Sequence, residues 1–378
     1  MNNFNMLPGI LAASLLIGCG GGGGTTGVDG SNAAPVALFD AAERVAVGTT
    51  VSIDASASYD PDGDPITYFW RMELKPNGSH ASIQDSGNTS SFIADVIGEY
   101  EIHLFVSDGK IDSDLAIIQI ASATPIDGII QQETVLTKVA SPYFIVDKVQ
   151  LAYGASLQLE SGVVLMGDGR DLVVYGDLLV QGTKNSPVHL NDVRVVPGNN
   201  TSNEPWKIDI NHARIEGGSL LHPTGNAASG GFLLRDSVIR NIPYMYLVYP
   251  VLETVLERNI FSRAGGIIVA HSDIRIEIRN NVFLEHGVVE NYAAYNEPTL
   301  VEFNSFLNVG EVSVKLPPGY TDAAIYAVNN YWGTTDPSLI KAMVFDKSVD
   351  LGSAGYIDHN PYLLGPHPNT PDPAPFLD

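Results

Sequence analysis

The sequence predicts an all-β protein in two folded parts, a small β-sandwich followed by a long coil of stacked parallel strands. Three observations predict this class. Short apolar–polar alternations broken by turn residues fill residues 33–122. An apolar residue recurs about every two dozen positions from Ile215 to Trp332. From residue 143 onward the chain is cut by Gly and Asn into short β-rich segments without amphipathic helices. At 378 residues the chain is long for one domain. Its 44% apolar and 17% charged residues are a core-forming composition, which excludes a chain disordered throughout. Lys and Arg number 20 against 43 Asp and Glu, a net charge of −23; phosphate is repelled by such a surface, so no nucleic-acid partner is expected. The single Cys excludes an internal disulfide and a thiolate metal cluster.

Residues 7–18 form an apolar run too short for a permanent membrane span and of the right length for a signal-peptide core. It ends in Leu16-Ile17-Gly18-Cys19, which resembles the bacterial lipobox. That resemblance implies a signal peptide over residues 1–18 and acylation of Cys19, so that the membrane becomes a partner through the lipid. Met1 to Asn5 lacks the usual Lys or Arg. Gly20, in place of an acidic residue after the Cys, implies sorting to the outer membrane, in the cell envelope and facing the periplasm or the cell surface. Residues 19–32 then read as a flexible Gly-rich tether.

Residues 33–122 carry the sandwich. Val51-Ser52-Ile53-Asp54, Asp60-Pro61-Asp62-Gly63-Asp64, Tyr68-Phe69-Trp70, Gly98-Glu99-Tyr100 and Val106-Ser107-Asp108-Gly109 together resemble the PKD family of immunoglobulin-like modules. Trp70 is expected in the sandwich core. Asp60, Asp62 and Asp64 alternate around a tight Pro/Gly turn, and Asp108 sits on a second Asp-Gly turn. Four carboxylates at one end of a sandwich are a candidate Ca²⁺ site, because hard cations take converging oxygens; a solvated turn is the alternative. No cofactor is required by either reading.

After a linker or N-terminal cap over 123–142, residues 143–333 read as a stack. Tyr143 to Leu165 and Leu172 to Thr183 look like the entry of a right-handed parallel β-helix of the pectate-lyase-like kind. The repeat is also countable from the residues: Ile215, Ile239, Phe261, Phe283, Phe306 and Trp332 are spaced by 24, 22, 22, 23 and 26, one turn of a three-strand coil. Five and seven positions before each anchor lie mostly apolar residues, expected inside. Four before come Asn211, Arg235, Glu257, Arg279, Glu302 and Val328, whose alternating Arg and Glu are an expected outward charge ladder. Two before come Ala213, Ser237, Asn259, Asn281, Asn304 and Asn330, expected at the bend itself because Asn tolerates left-handed backbone. Asp336-Pro337 predicts a short capping helix within a C-terminal cap over 334–360, and residues 361–378 predict an extended, mobile Pro-rich tail.

Chemistry is harder to read. The chain contains no Asp-Asp dipeptide of the polygalacturonase type. Between Pro205 and Gly333 its only lysines are Lys207 and Lys315. The best constellation is His212, Asp236 and Arg258, one column three before the anchor, with Arg235 and Arg279 beside it. Such a column could bind or deprotonate an acidic sugar, or form a solvated salt-bridge ladder. The favoured expectation is a surface lipoprotein whose β-helix is a non-catalytic binding or scaffold module for glycan, matrix or a cell-surface protein. The alternative is a polysaccharide lyase or glycosidase acting in the β-helix groove, since fold alone does not give activity.

Overall fold

The computed structural model describes residues 32–198, 204–221, 230–272, 274–285, 287–292 and 297–376. The expected signal segment, Cys19 and the tether through residue 31 lie outside the described residues. In the N-terminal part, Asp40–Ala41, Thr50–Asp54, Gln84–Asp85 and Thr89–Ile93 pair antiparallel in one sheet. Thr67–Leu74, Gly98–Ser107 and Ala116–Ile130 form the facing one. Period-two patterning places the core: Val51 and Ile53 turn inward while their strand neighbours stay exposed, and they meet Phe92, Tyr100, Ile102 and Ile120. Trp70 packs half-buried on this core, edge-on to Phe39 at 5.4 Å, and its indole N–H donates to the Gly87 carbonyl at 2.9 Å.

Ala116–Ile130 belongs to both parts. Up to Ser122 it pairs antiparallel with Gly98–Ser107; from Thr124 it pairs parallel with Tyr143–Leu151 of the first coil turn. One sheet therefore runs from the sandwich into the coil, and residues 123–130 are strand where a linker or cap was expected. The physical reason is edge protection, since the first rung would otherwise present unpaired N–H and C=O groups. Ala123, Phe144 and Met166 bury an apolar cluster at this joint, and Arg44 pairs with Asp168 across it.

The coil is a β-solenoid of about eight turns. Each later turn supplies one strand to each of three parallel sheets. The first sheet contains Trp206–Asn211, Gly230–Arg235, Thr254–Glu257, Ile276–Arg279 and Thr299–Glu302. The second contains Ala213–Glu216, Val238–Arg240, Ile260–Ser262, Val282–Phe283 and Ser305–Phe306. The third contains Tyr244–Val248, Gly266–Ala270, Val288–Asn291 and Val314–Lys315. The anchors stack as expected: Ile215, Ile239, Phe261, Phe283 and Phe306 are register partners in turn. Rings of Phe261 and Phe283 lie 5.0 Å apart, Phe283 and Phe306 4.9 Å, and Phe306 and Trp332 5.1 Å, all stacked and buried.

Three expectations need correction. The left-handed residue at the bend between first and second sheets is not the Asn but the residue before it: His212, Asp236, Arg258, Asn280, Phe303 and Asn329 have φ of 50, 50, 55, 56, 59 and 59°. That turn throws the next side chain inward, so Asn259, Asn281, Asn304 and Asn330 are fully buried. Each of the last three accepts the backbone N–H of the equivalent residue one turn earlier, and each of the four donates to a carbonyl in the first sheet. Secondly, the outward charge ladder is broken. Arg279 pairs with Glu257 at 3.1 Å and Glu277 at 2.9 Å, whereas Arg235 turns to Asp209 at 2.6 Å. Glu257 is already taken by Arg258 and Arg279, which leaves Asp209 as the better partner for Arg235. Thirdly, the Pro-rich tail is docked along the solenoid. The Leu363 N–H donates to Asn330, Thr370 bonds the Phe303 carbonyl, and Phe376 packs on Ile260, Val282 and Leu284.

The helix Pro337–Ala342 forms where Asp336-Pro337 predicts it, with the Asp336 carboxylate accepting the Ser338 N–H at 2.8 Å and Ile340 buried against the last turn. No helix among the described residues is long and apolar enough to cross a membrane.

Candidate functional site

The five residues singled out as chemistry on the solenoid lie on or beside one bend. Arg258 grips Asp236 with both arms, Nε to Oδ1 at 2.8 Å and Nη2 to Oδ2 at 2.7 Å, and touches Glu257 at 3.0 Å. The Asp236 hydrogen bonds, with its charge and that of Glu257, hold the Arg258 guanidinium firmly protonated. His212 bonds its own neighbour, Nδ1 to the Asn211 side-chain oxygen at 2.8 Å. Arg235 and Arg279 are engaged by the carboxylates named above. The column thus comes together in space, but its cations are engaged by carboxylates of the bend and the first sheet. What it does chemically is fix the side chains of the left-handed turn.

The charges of three of the four sandwich Asp residues, Asp64, Asp108 and Asp60, act on Lys110. Its ammonium bonds Asp64 at 2.8 Å and the Asn32 oxygen at 2.9 Å. Asp60 takes the N–H groups of Asp62 and Asp64 on one oxygen, and Asp62 takes the Ala33 N–H at 2.6 Å. The other Asp60 oxygen is buried without a hydrogen-bond partner. With Lys110 supplying the positive charge, the carboxylates face separate partners, and no group of three acidic, His or Cys residues among the described residues is arranged to hold a metal ion. Asp108 is held down to about 2 by the Ile111 N–H, the Asn32 amide and the Lys110 N–H. A depressed carboxylate contributes its stability above the ordinary Asp value and loses it as pH falls through the folded value. The loop is therefore expected to stay tied until pH drops toward about 2; a carboxyl NMR titration placing the Asp108 midpoint near 4 would contradict this geometry.

The third sheet holds a site that the sequence reading did not name. Its outer face carries Tyr244 and Tyr246, then Ile268, then Glu290, then Lys315, on successive rungs. Glu290 is 95% buried because Tyr292 donates its hydroxyl to one carboxylate oxygen at 2.9 Å and Lys315 approaches the other at 3.5 Å. The Lys315 ammonium also lies over the Phe345 ring at 5.8 Å. Burial, then the hydrogen bond and charge of Glu290, push the Tyr292 phenol up to about 12; burial, then Glu290, raise Tyr244. Both phenols therefore remain hydroxyl donors at neutral pH rather than bases.

Beside this face runs an open groove of about 720 Å³, with Tyr244 as one wall and the Arg263–Glu285 ion pair, at 3.1 Å, along its rim. Gly265 and Gly287 also line it, and a Cβ on Gly265 would come within 2.8 Å of the Tyr244 backbone nitrogen. An apolar wall that includes the Tyr244 ring and a rim of charged hydrogen-bonding groups can hold a polyhydroxylated chain. A signal for this face was present: in three successive turns the third strand begins five residues after the anchor, at Tyr244, Gly266 and Val288.

The sequence profile of the PKD domain matches residues 32–114. The N-terminal unit is a PKD domain. No curated protein matches the chain. A solved structure described as a nucleoside hydrolase-related hypothetical protein from Saccharophagus degradans, associated with carbohydrate metabolism, shares 25% identity with it at a TM-score of 0.22. The overlap covers 24% of this chain and 26% of that one, so this chain spans about a quarter of its length there.

Proposed function

We propose that the chain is an envelope lipoprotein, anchored at Cys19, whose solenoid binds polysaccharide without cleaving it. The carrying observation is the third sheet, where Tyr244 walls a groove beside Glu290, Tyr292 and Lys315. The Tyr244 ring can cover the apolar face of a sugar ring and the rim groups Arg263 and Glu285 can meet its oxygens, while a Glu290 already paired with Lys315 has no free charge to spend on acid–base work. A lyase reading needs a cation for the uronate and a base for the α-proton. Arg258 is held by Asp236, and the two phenols are pushed away from ionisation. The net charge of −23 further favours neutral polysaccharides over uronate polymers by long-range repulsion. In this arrangement the PKD domain and the tether stand the solenoid off the bilayer.

Retention on a panel of insoluble neutral and acidic polysaccharides tests the reading, run beside assays for reducing ends and unsaturated uronate. Retention by neutral polymers is expected, with no product, and Tyr244→Ala is expected to weaken it at least ten-fold with the melting temperature unchanged. Turnover that disappears in Arg258→Ala would establish the enzyme reading instead.

A further inference from the structure

We propose that the outer face of the second sheet is a docking groove for a Pro-rich segment carrying a terminal aromatic anchor, and that residues 361–376 of this chain fill it in cis as a displaceable ligand. Strand alternation turns Phe261 and Phe283 inward and so turns Ile260, Val282 and Leu284 outward, yet these three are only 4%, 1% and 7% exposed. With Val238 and Leu307 they make an apolar strip running along the solenoid, and Phe376 packs against it.

The bend beside the strip is shaped for the same segment. Phe303 holds φ of 59°, a conformation that bulky L residues rarely adopt, where other turns place His212, Asp236, Arg258, Asn280 or Asn329. Its ring lies 4.8 Å from the His367 imidazole. One turn earlier the Asn280 amide meets His367 Nδ1 at 2.9 Å. The Asn369 N–H also donates to that nitrogen, at 3.3 Å, which fixes Nδ1 as an acceptor; the Asn280 contact is therefore a donation from Nδ2. Two consecutive left-handed positions thus converge on one residue of the segment, and Thr370 bonds the Phe303 carbonyl at 3.2 Å.

Pro366, Pro368, Pro371, Pro373 and Pro375 restrict the free segment and so lower the entropy lost on docking, while the docked segment turns between His367 and Thr370 and closes on the single 3-10 turn Ala374–Phe376. The segment contributes no strand to a sheet among the described residues, so it leaves the groove without unzipping a ladder. Beyond Tyr362, which packs on the solenoid core, its hold rests on the His367 and Phe376 sites together with a few hydrogen bonds, which is the anatomy of a displaceable ligand.

The test uses the full chain carrying His367→Ala and Phe376→Ala, both outside the solenoid core, and a fluorescently labelled peptide of residues 363–376 followed by anisotropy. The variant is expected to bind the peptide at least ten-fold more tightly than the unaltered chain, whose groove is already filled. The same peptide with Phe376→Ala is expected to lose that binding. Equal binding to both chains, no binding to either, or undiminished binding of the altered peptide would each overturn the proposal.

Discussion

Phe283→Ala is expected to cost about 3–5 kcal/mol. The ring is 1% exposed and stacked on both sides, 5.0 Å from Phe261 and 4.9 Å from Phe306. Its removal leaves a void that the neighbouring rungs cannot close, because their spacing is set by the parallel ladder at about 4.8 Å. Two stacking contacts go with it, each worth about 0.5–1.5 kcal/mol beyond burial. Phe283→Leu keeps most of the volume and is expected to lose clearly less. Urea unfolding followed by far-UV circular dichroism measures both, and a loss below about 1 kcal/mol for the alanine variant would mean that the stack does not carry the core.

The second large effect lies two residues earlier in the same turn. The Asn281 oxygen accepts from the Asn259 N–H at 3.0 Å, and its amide donates to the Leu256 carbonyl at 2.9 Å and the Asn304 oxygen at 3.0 Å. Asn281→Ala strands a buried backbone donor and weakens a buried acceptor, at about 1–3 kcal/mol for each unsatisfied group. A total of about 3 kcal/mol is expected. Arg279→Ala, also in this turn but outward and partly exposed, is expected to change stability by no more than about 1 kcal/mol. If the two variants melt alike, the ladder has no special weight. Since Phe283 and Asn281 share a turn, the double variant is expected to lose less than the sum of the two.

The stack was legible because its anchors are chemically alike and recur at nearly constant spacing, as Phe261, Phe283 and Phe306 do. The Asn column was legible as a column, but not its depth. Whether Asn281 stands at the corner or behind it depends on which residue takes positive φ, and Arg258 and Phe303 are residues that no propensity would place there. The groove on the third sheet went unread for a different reason. Glu290, Tyr292 and Lys315 do not form a motif along the chain, and only the register that sets Glu290 beside Lys315 brings them together. Asp236 and Arg258 were visible as candidates; that they satisfy each other depends on a bidentate geometry that spacing does not encode.

By itself the sequence determined the class of fold, the order of sandwich, stack and capping helix, and the identity of the inward columns, because periodic burial of apolar side chains is a local and repeated constraint. The tertiary structure alone decided the rest: that Ala116–Ile130 joins sandwich and solenoid in one sheet, that the Pro-rich tail lies docked on an apolar strip, and that the third sheet presents Tyr244 beside Glu290. These are contacts between residues far apart in the chain, each fixed by which surfaces remain to be covered once the rungs have stacked.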